Sequence, residues 1–89
     1  MNEPRLTKVI PNDDHTLLLH YETGEIKLFD VKPYIRGTFL GQLQEPAYFK
    51  TVQIFPNGKG LKWKNGQDLA PHELYETSVP INKQKKHYD

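Results

Sequence analysis

The sequence predicts an α+β fold, a small single domain with an antiparallel meander, a second hairpin, and short helices after the third strand and at the C-terminal end. Three observations predict it: alternating apolar stretches over residues 5–31, a Pro-Asn-Gly turn between two more such stretches, and a proline-led helix start near residue 70.

RLTKVI at 5–10 and HTLLLHYE at 15–22 read as strands, with Leu17, Leu19 and Tyr21 alternating onto one face. PNDD separates them. Pro11 presets φ, and the side chains of Asn12, Asp13 and Asp14 can bond nearby backbone. ETGE leads into EIKLFDV at 25–31, with Gly24 free to take the positive φ of a hairpin turn. The middle, KPYIRGTFLGQLQEPAYFK, has no strand-length alternation and is broken by Pro33, Gly37, Gly41 and Pro46. It is expected to be irregular chain with one or two helical turns, the better one starting at Pro46 and setting Tyr48 and Phe49 against the sheet. KTVQIF at 50–55 and GLKWK at 60–64 flank PNGKG, where Pro56, Asn57 and Gly58 suit a tight turn with a left-handed bulge residue. Leu61 and Trp63 share one face of that last strand, and Lys62 and Lys64 the other.

At 89 residues and 10.4 kDa the chain has room for one domain with one thin core. No cysteine is present, so neither a disulfide framework nor a thiolate zinc site supports it. MNEPRLTKVIPNDD lacks the apolar run of a signal peptide, and no stretch approaches the roughly 20 apolar residues of a membrane span, which leads to the expectation of a soluble, cytoplasmic protein without membrane contact. Removing Lys83, Lys85, Lys86 and Asp89 from the 12 basic and 11 acidic residues leaves 9 and 10 in residues 1–76. A body so close to neutral lacks the basic surface usual in nucleic-acid binders. Residues 1–76 are therefore expected to form the single α+β domain, and 77–89 a polar basic tail without fixed structure.

LKWKNGQDLAPHELYE, residues 61–76, gathers Trp, Asp, His and two Glu in a short span. Asn65-Gly66 is read as turning the chain out of the sheet. With Ala70 as N-cap, Pro71 falls at N1, Glu73 at N3, and Leu69 and Leu74 at the staple positions, while the Asp68 carboxylate can accept the Ala70 N–H. A competing metal reading takes His72, Glu73 and Glu76 as the opening of H-E-x-x-H, but Glu stands where the second His is needed. Asp13, Asp14 and His15 are a further ligand set, in a turn that uses such residues for conformation. His15, His20, His72 and His87 are scattered, and no Ser precedes Ser78, so the usual nucleophile arrangements have no members. GKGLKW follows a turn and enters a strand, whereas a phosphate loop enters a helix. No catalytic residue, cofactor or metal site is expected.

Between Pro46 and Gln67 there is no acid, and Lys50, Lys59, Lys62 and Lys64 interleave with Tyr48, Phe49, Phe55 and Trp63. Over 48–64 this is the pattern of a single-strand nucleic-acid platform. Trp63 and its flanking lysines point to opposite faces, however, and a ring that packs the core cannot stack a base.

The T-G-E hairpin, Phe29-Asp30, Leu43, Tyr48-Phe49, Val52, W-x-N-G-x-D-L at 63–69 and Glu73-Leu74-Tyr75 together resemble the bacterial domain of unknown function 2442 family over about residues 6–76. The resemblance implies a small α+β domain, found alone or joined to a helix-turn-helix domain, and often encoded beside another small protein in an arrangement like a toxin–antitoxin pair. The family has no established activity to carry over. Its matching positions are Gly24, Asp30, Trp63, Asn65, Gly66, Asp68, Leu69 and Tyr75, which also read as turn, cap and core residues. The function expected from all this is a non-enzymatic interaction module, the partner or antitoxin-like half of a two-gene pair. Its partner would be another small protein, or a second copy docking at an edge strand, for which 5–10 is preferred over 60–64. The alternative is a nucleic-acid-binding accessory or regulatory protein using the 48–64 lysines.

Overall fold

β1 (Leu6–Pro11), β2 (Thr16–Tyr21) and β3 (Ile26–Asp30) form the expected meander, and the structure, a computed structural model, describes residues 3–81. At the first turn the Thr16 hydroxyl and N–H both donate to Asp14 Oδ1 (2.6 and 3.2 Å), and His15 takes the left-handed position at φ 64°. At the second turn Gly24 has φ 94° and donates to the Tyr21 carbonyl (2.9 Å). Two 3-10 turns follow, Lys32–Tyr34 and Leu40–Gln44, and then α1 (Pro46–Phe49), whose start is capped by the Glu45 side chain accepting from the Ala47 N–H. The Phe49 ring is buried and Tyr48 half-buried, as the proline-led start implies.

The second half departs from the reading above in three places. The strand expected over 50–55 shrinks to β4 (Gln53–Ile54), because Lys50–Val52 are held by backbone bonds back into α1, such as Val52 N–H to the Phe49 carbonyl (3.3 Å). The Pro56-Asn57-Gly58 turn forms as read, with Gly58 at φ 78° donating to the Phe55 carbonyl (2.8 Å), and it delivers β5 (Leu61–Lys62). Asn65-Gly66 does not lead the chain out of the sheet but closes a further hairpin. Trp63 N–H donates to the Gln67 carbonyl (2.8 Å), and β6 (Asp68–Leu69) pairs back on β5. Asp68 is consequently an exposed strand residue opposite Lys62, and the Ala70 N-cap of α2 (Pro71–Thr77) has no side-chain cap bond. The chain then adds β7 (Val79–Pro80), so the boundary expected at residue 76 falls inside α2. Of the tail expected over 77–89, residues 82–89 lie outside the described residues.

The strands form two antiparallel sheets, β1-β2-β3-β7 and β4-β5-β6. β5 is the centre of its sheet, which rules out 60–64 as the edge. β1 is an edge, but its backbone faces are the reverse of what docking through Lys8 requires. Asn12 N–H donates to the Thr16 carbonyl (2.9 Å), and alternation from that pair points the N–H groups of Ile10 and Lys8 at β2. Pro11 then sits where its missing N–H faces outward, as proline on an edge strand should. The outward Leu6 N–H is already taken by the Gly58 carbonyl (2.7 Å), which ties the two sheets together.

Between them lies one core: Leu6, Leu17, Leu19, Tyr21, Phe29 and Val31 from the first sheet meet Leu43, Phe49, Val52, Leu61, Trp63, Leu69 and Leu74. Leu69 and Leu74 are both buried there, at the staple positions read from the sequence.

Candidate functional site

The motif residues hold the fold together. Trp63, 2% exposed, stacks on Phe49 with centroids 5.9 Å apart and donates its indole N–H to the Phe49 carbonyl (2.9 Å). Asn65 donates its N–H to the Tyr48 hydroxyl (2.8 Å) and its amide to Gln42 Oε1 (2.7 Å), while Gly66 has φ 103°. Asp30 accepts from the Lys32 N–H (3.0 Å) and pairs with its ammonium (3.0 Å), closing the first 3-10 turn. The Tyr75 hydroxyl donates to the Glu25 carboxylate (2.9 Å), its ring meets Tyr21 edge-on, and the Lys27 ammonium lies 3.9 Å above it. Those carboxylate contacts, with desolvation, raise the Tyr75 pKa. A residue that the motif leaves variable matters as much. Gln67 is 1% exposed, accepts from the Tyr48 hydroxyl (2.7 Å) and donates to the Phe39 carbonyl (2.9 Å), tying α1 and the loop at Phe39 to the β5–β6 hairpin with one amide.

Among the described residues the histidines and acids are spread over separate contacts. His15 Nε2 bonds the Gln44 carbonyl (2.9 Å), Asp13 pairs with Lys50 (2.6 Å), and Asp14 serves the turn. His72 Nδ1 lies 3.3 Å from Glu3 Oε2, Tyr34 donates to Glu73, and His20 sits across the sheet. Among the described residues no group of three or more such side chains is placed to hold a metal ion. His87 lies outside them.

The four lysines are dispersed as well. Lys50 is engaged by Asp13, Lys59 donates to the Glu3 carbonyl (2.8 Å), and Lys62 lies over the Phe55 ring at 5.4 Å. Lys64 lines an open pocket of about 420 Å³ with Tyr48, Thr51 and Gln53. The Tyr48 hydroxyl at its wall is spent on Gln67 and Asn65.

What sequence reading missed is the outer face of the four-stranded sheet. Residues directly opposite in a sheet share a face. Ile10, Leu18, Leu28 and Val79 stand opposite one another across all four strands, and the next row runs Lys8, His20 and Ile26, to which Ile81 is bonded (2.8 Å). None of these apolar residues belongs to the core cluster or packs against it, and Val79 is 56% exposed. The polarity of β3 is inverted: Lys27 points inward, its ammonium bonded to the Tyr75 carbonyl (2.6 Å), while Ile26 and Leu28 point outward. The signal was in the sequence. Leu17-Leu18-Leu19 is an unbroken apolar run, which marks a strand whose two faces are both to be covered, whereas a half-solvated strand alternates.

A family model described as "Protein of unknown function (DUF2442)" matches residues 6–80. The chain belongs to the DUF2442 family. The match extends through β7, so the strand beyond residue 76 is part of the DUF2442 domain. Neither the curated proteins nor the solved structures compared with this chain include a match.

Proposed function

We propose that this DUF2442 chain is a non-enzymatic protein-interaction module that docks another small protein, one encoded beside it in a two-gene pair, on the outer face of the β1-β2-β3-β7 sheet. One observation carries this reading: a row of apolar side chains, Ile10, Leu18, Leu28 and Val79, spans the sheet without joining the core. Apolar surface in a contiguous, self-contained patch is what a partner's burial would stabilise. Several of the acids and lysines serve the fold itself: Asp14 and Asp30 accept in turns, Glu45 caps α1, and Lys50 pairs with Asp13. Co-expression with the product of the adjacent gene, followed by size-exclusion with light scattering, is expected to give one species at the summed mass. Separate elution of the two proteins would contradict the reading.

A second reading, nucleic-acid binding, has one observation in its favour: Lys64 opens beside Tyr48 on the pocket. It requires a gel shift that weakens steeply with salt and is lost in Lys62→Glu/Lys64→Glu. No shift at low salt removes it.

A further inference from the structure

We infer that the turn joining β5 and β6 carries a second binding site, at which single-stranded nucleic acid stacks a base on Phe39 and sets a neighbouring phosphate on Lys64. The inference rests on the nucleic-acid reading above and names its site. It is independent of docking on the first sheet.

The ring available for stacking lies outside residues 48–64. Trp63 and Phe49 are buried and Phe55 is half-buried beside Lys62, whereas Phe39 is 50% exposed. Its position is fixed from beneath. The Phe39 carbonyl accepts from the Gln67 amide (2.9 Å), and a Cβ added at Gly66 would lie 3.5 Å from Phe39 Cζ, so the ring rests on the exposed turn. A planar group laid against the solvent side of that ring would bury apolar surface that the fold leaves wet.

The same turn joins the ring to the open pocket of about 420 Å³. The Gln67 amide that holds Phe39 accepts from the Tyr48 hydroxyl (2.7 Å), and Tyr48 lines the pocket with Thr51, Gln53 and Lys64. One amide and one phenol thus bridge the two. Lys64 and Gln53 are exposed, and among the described residues neither side chain makes a hydrogen bond or ion pair. The pocket therefore offers a positive charge and an amide to a ligand.

Charge selects a polyanion. Residues 31–67, which supply every group just named, hold six basic residues and one acid, while the rest of 1–76 holds three and nine. The near-neutral body is sharply divided, and such asymmetry within one chain points to an anionic partner for its basic part. The single acid, Glu45, is turned to the Ala47 N–H as the cap of α1. Lys32 and Lys50 pair with Asp30 and Asp13, whereas Lys64, and Arg36 in the loop that carries Phe39, stand exposed. An acidic peptide would satisfy the charge but would need separate residues for the anion and the ring. The edge strands beside the pocket, β4 and β6, are two residues each, too short to pair with its backbone. A nucleotide brings a planar ring and an anion in one unit.

The test titrates the full chain into a short fluorescein-labelled oligothymidine at low salt and reads anisotropy, with unlabelled oligothymidine and poly-glutamate as competitors. Binding is expected, and it should fall steeply with added salt as counterions are released. Phe39→Ala should weaken it about tenfold and leave the salt slope unchanged, because a stack carries no charge. Phe39→Trp should retain the wild-type affinity. Lys64→Ala should lower the salt slope by about one. Thermal melts should show all three variants folded, since the altered side chains are exposed. Wild-type affinity and salt slope in Phe39→Ala or in Lys64→Ala would overturn this site while leaving nucleic-acid binding elsewhere on the chain. Displacement by poly-glutamate as readily as by unlabelled oligothymidine would overturn it in favour of an acidic protein partner. No binding at low salt would overturn the site and the nucleic-acid reading together.

Discussion

Trp63 concentrates more of the fold than any other side chain: it is buried, stacked on Phe49 and hydrogen-bonded through its indole N–H. Trp63→Ala removes all three and is expected to cost about 3–5 kcal/mol in denaturant unfolding. His72→Ala should cost much less than Trp63→Ala, because its imidazole is largely exposed and meets the buried Glu3 carboxylate at 3.3 Å. Acid sensitivity has a local origin as well. The Thr16 hydroxyl, the chief cause, holds the Asp14 carboxyl below its ordinary value, and Lys50 does the same for Asp13. A carboxyl depressed in the folded state contributes stability above its unfolded pKa of about 3.9 and loses it as pH falls through the folded value. Unfolding midpoints should accordingly be flat from neutrality to about pH 5 and decline below about pH 4, with a shallower decline in Asp14→Asn.

Among the elements, turns were the most legible in the sequence, because their chemistry is local. Gly24 and Gly58 both stand at positive φ where the turn sequences put them, and Pro46 and Pro71 both open helices. β6 and β7 were not legible, since two residues each are too short to show a period and their pairing is decided by partners distant in sequence. Asn65-Gly66 could have revealed β6, as that dipeptide between apolar runs is a strong hairpin signal. The alternation of Leu17, Leu19 and Tyr21 accounts for a core face by itself, which hides the outward Leu18 and Leu28. Two element-level expectations follow from the geometry. Gly60, at φ 82°, would put an added Cβ 3.0 Å from the Leu69 carbonyl oxygen, whereas Gly24, at φ 94°, faces open space. Gly60→Ala should therefore lower the thermal midpoint more than Gly24→Ala. Proline at Lys8 removes an N–H aimed at β2, so Lys8→Pro should destabilise strongly where Lys8→Ala is almost neutral.

For the whole molecule, the distribution of apolar residues is the central fact. A near-neutral chain of this size could have made the outer side of its first sheet polar at no cost to the core, yet it sets Ile10, Leu18, Ile26, Leu28 and Val79 there and turns Lys27 inward. No helix among the described residues is long and apolar enough to cross a membrane, and Lys50, Lys59 and Lys62 each engage a different partner. The proposed docking of another chain would cover that face. The most direct measurement pairs unfolding with binding in one variant, Leu18→Gln/Leu28→Gln. The account predicts a smaller loss of stability than for Leu17→Ala, because Leu18 and Leu28 are only half-buried whereas Leu17 is fully buried, together with loss of the complex with the co-encoded protein. A variant that unfolds as readily as Leu17→Ala, or one that keeps its complex, would contradict it.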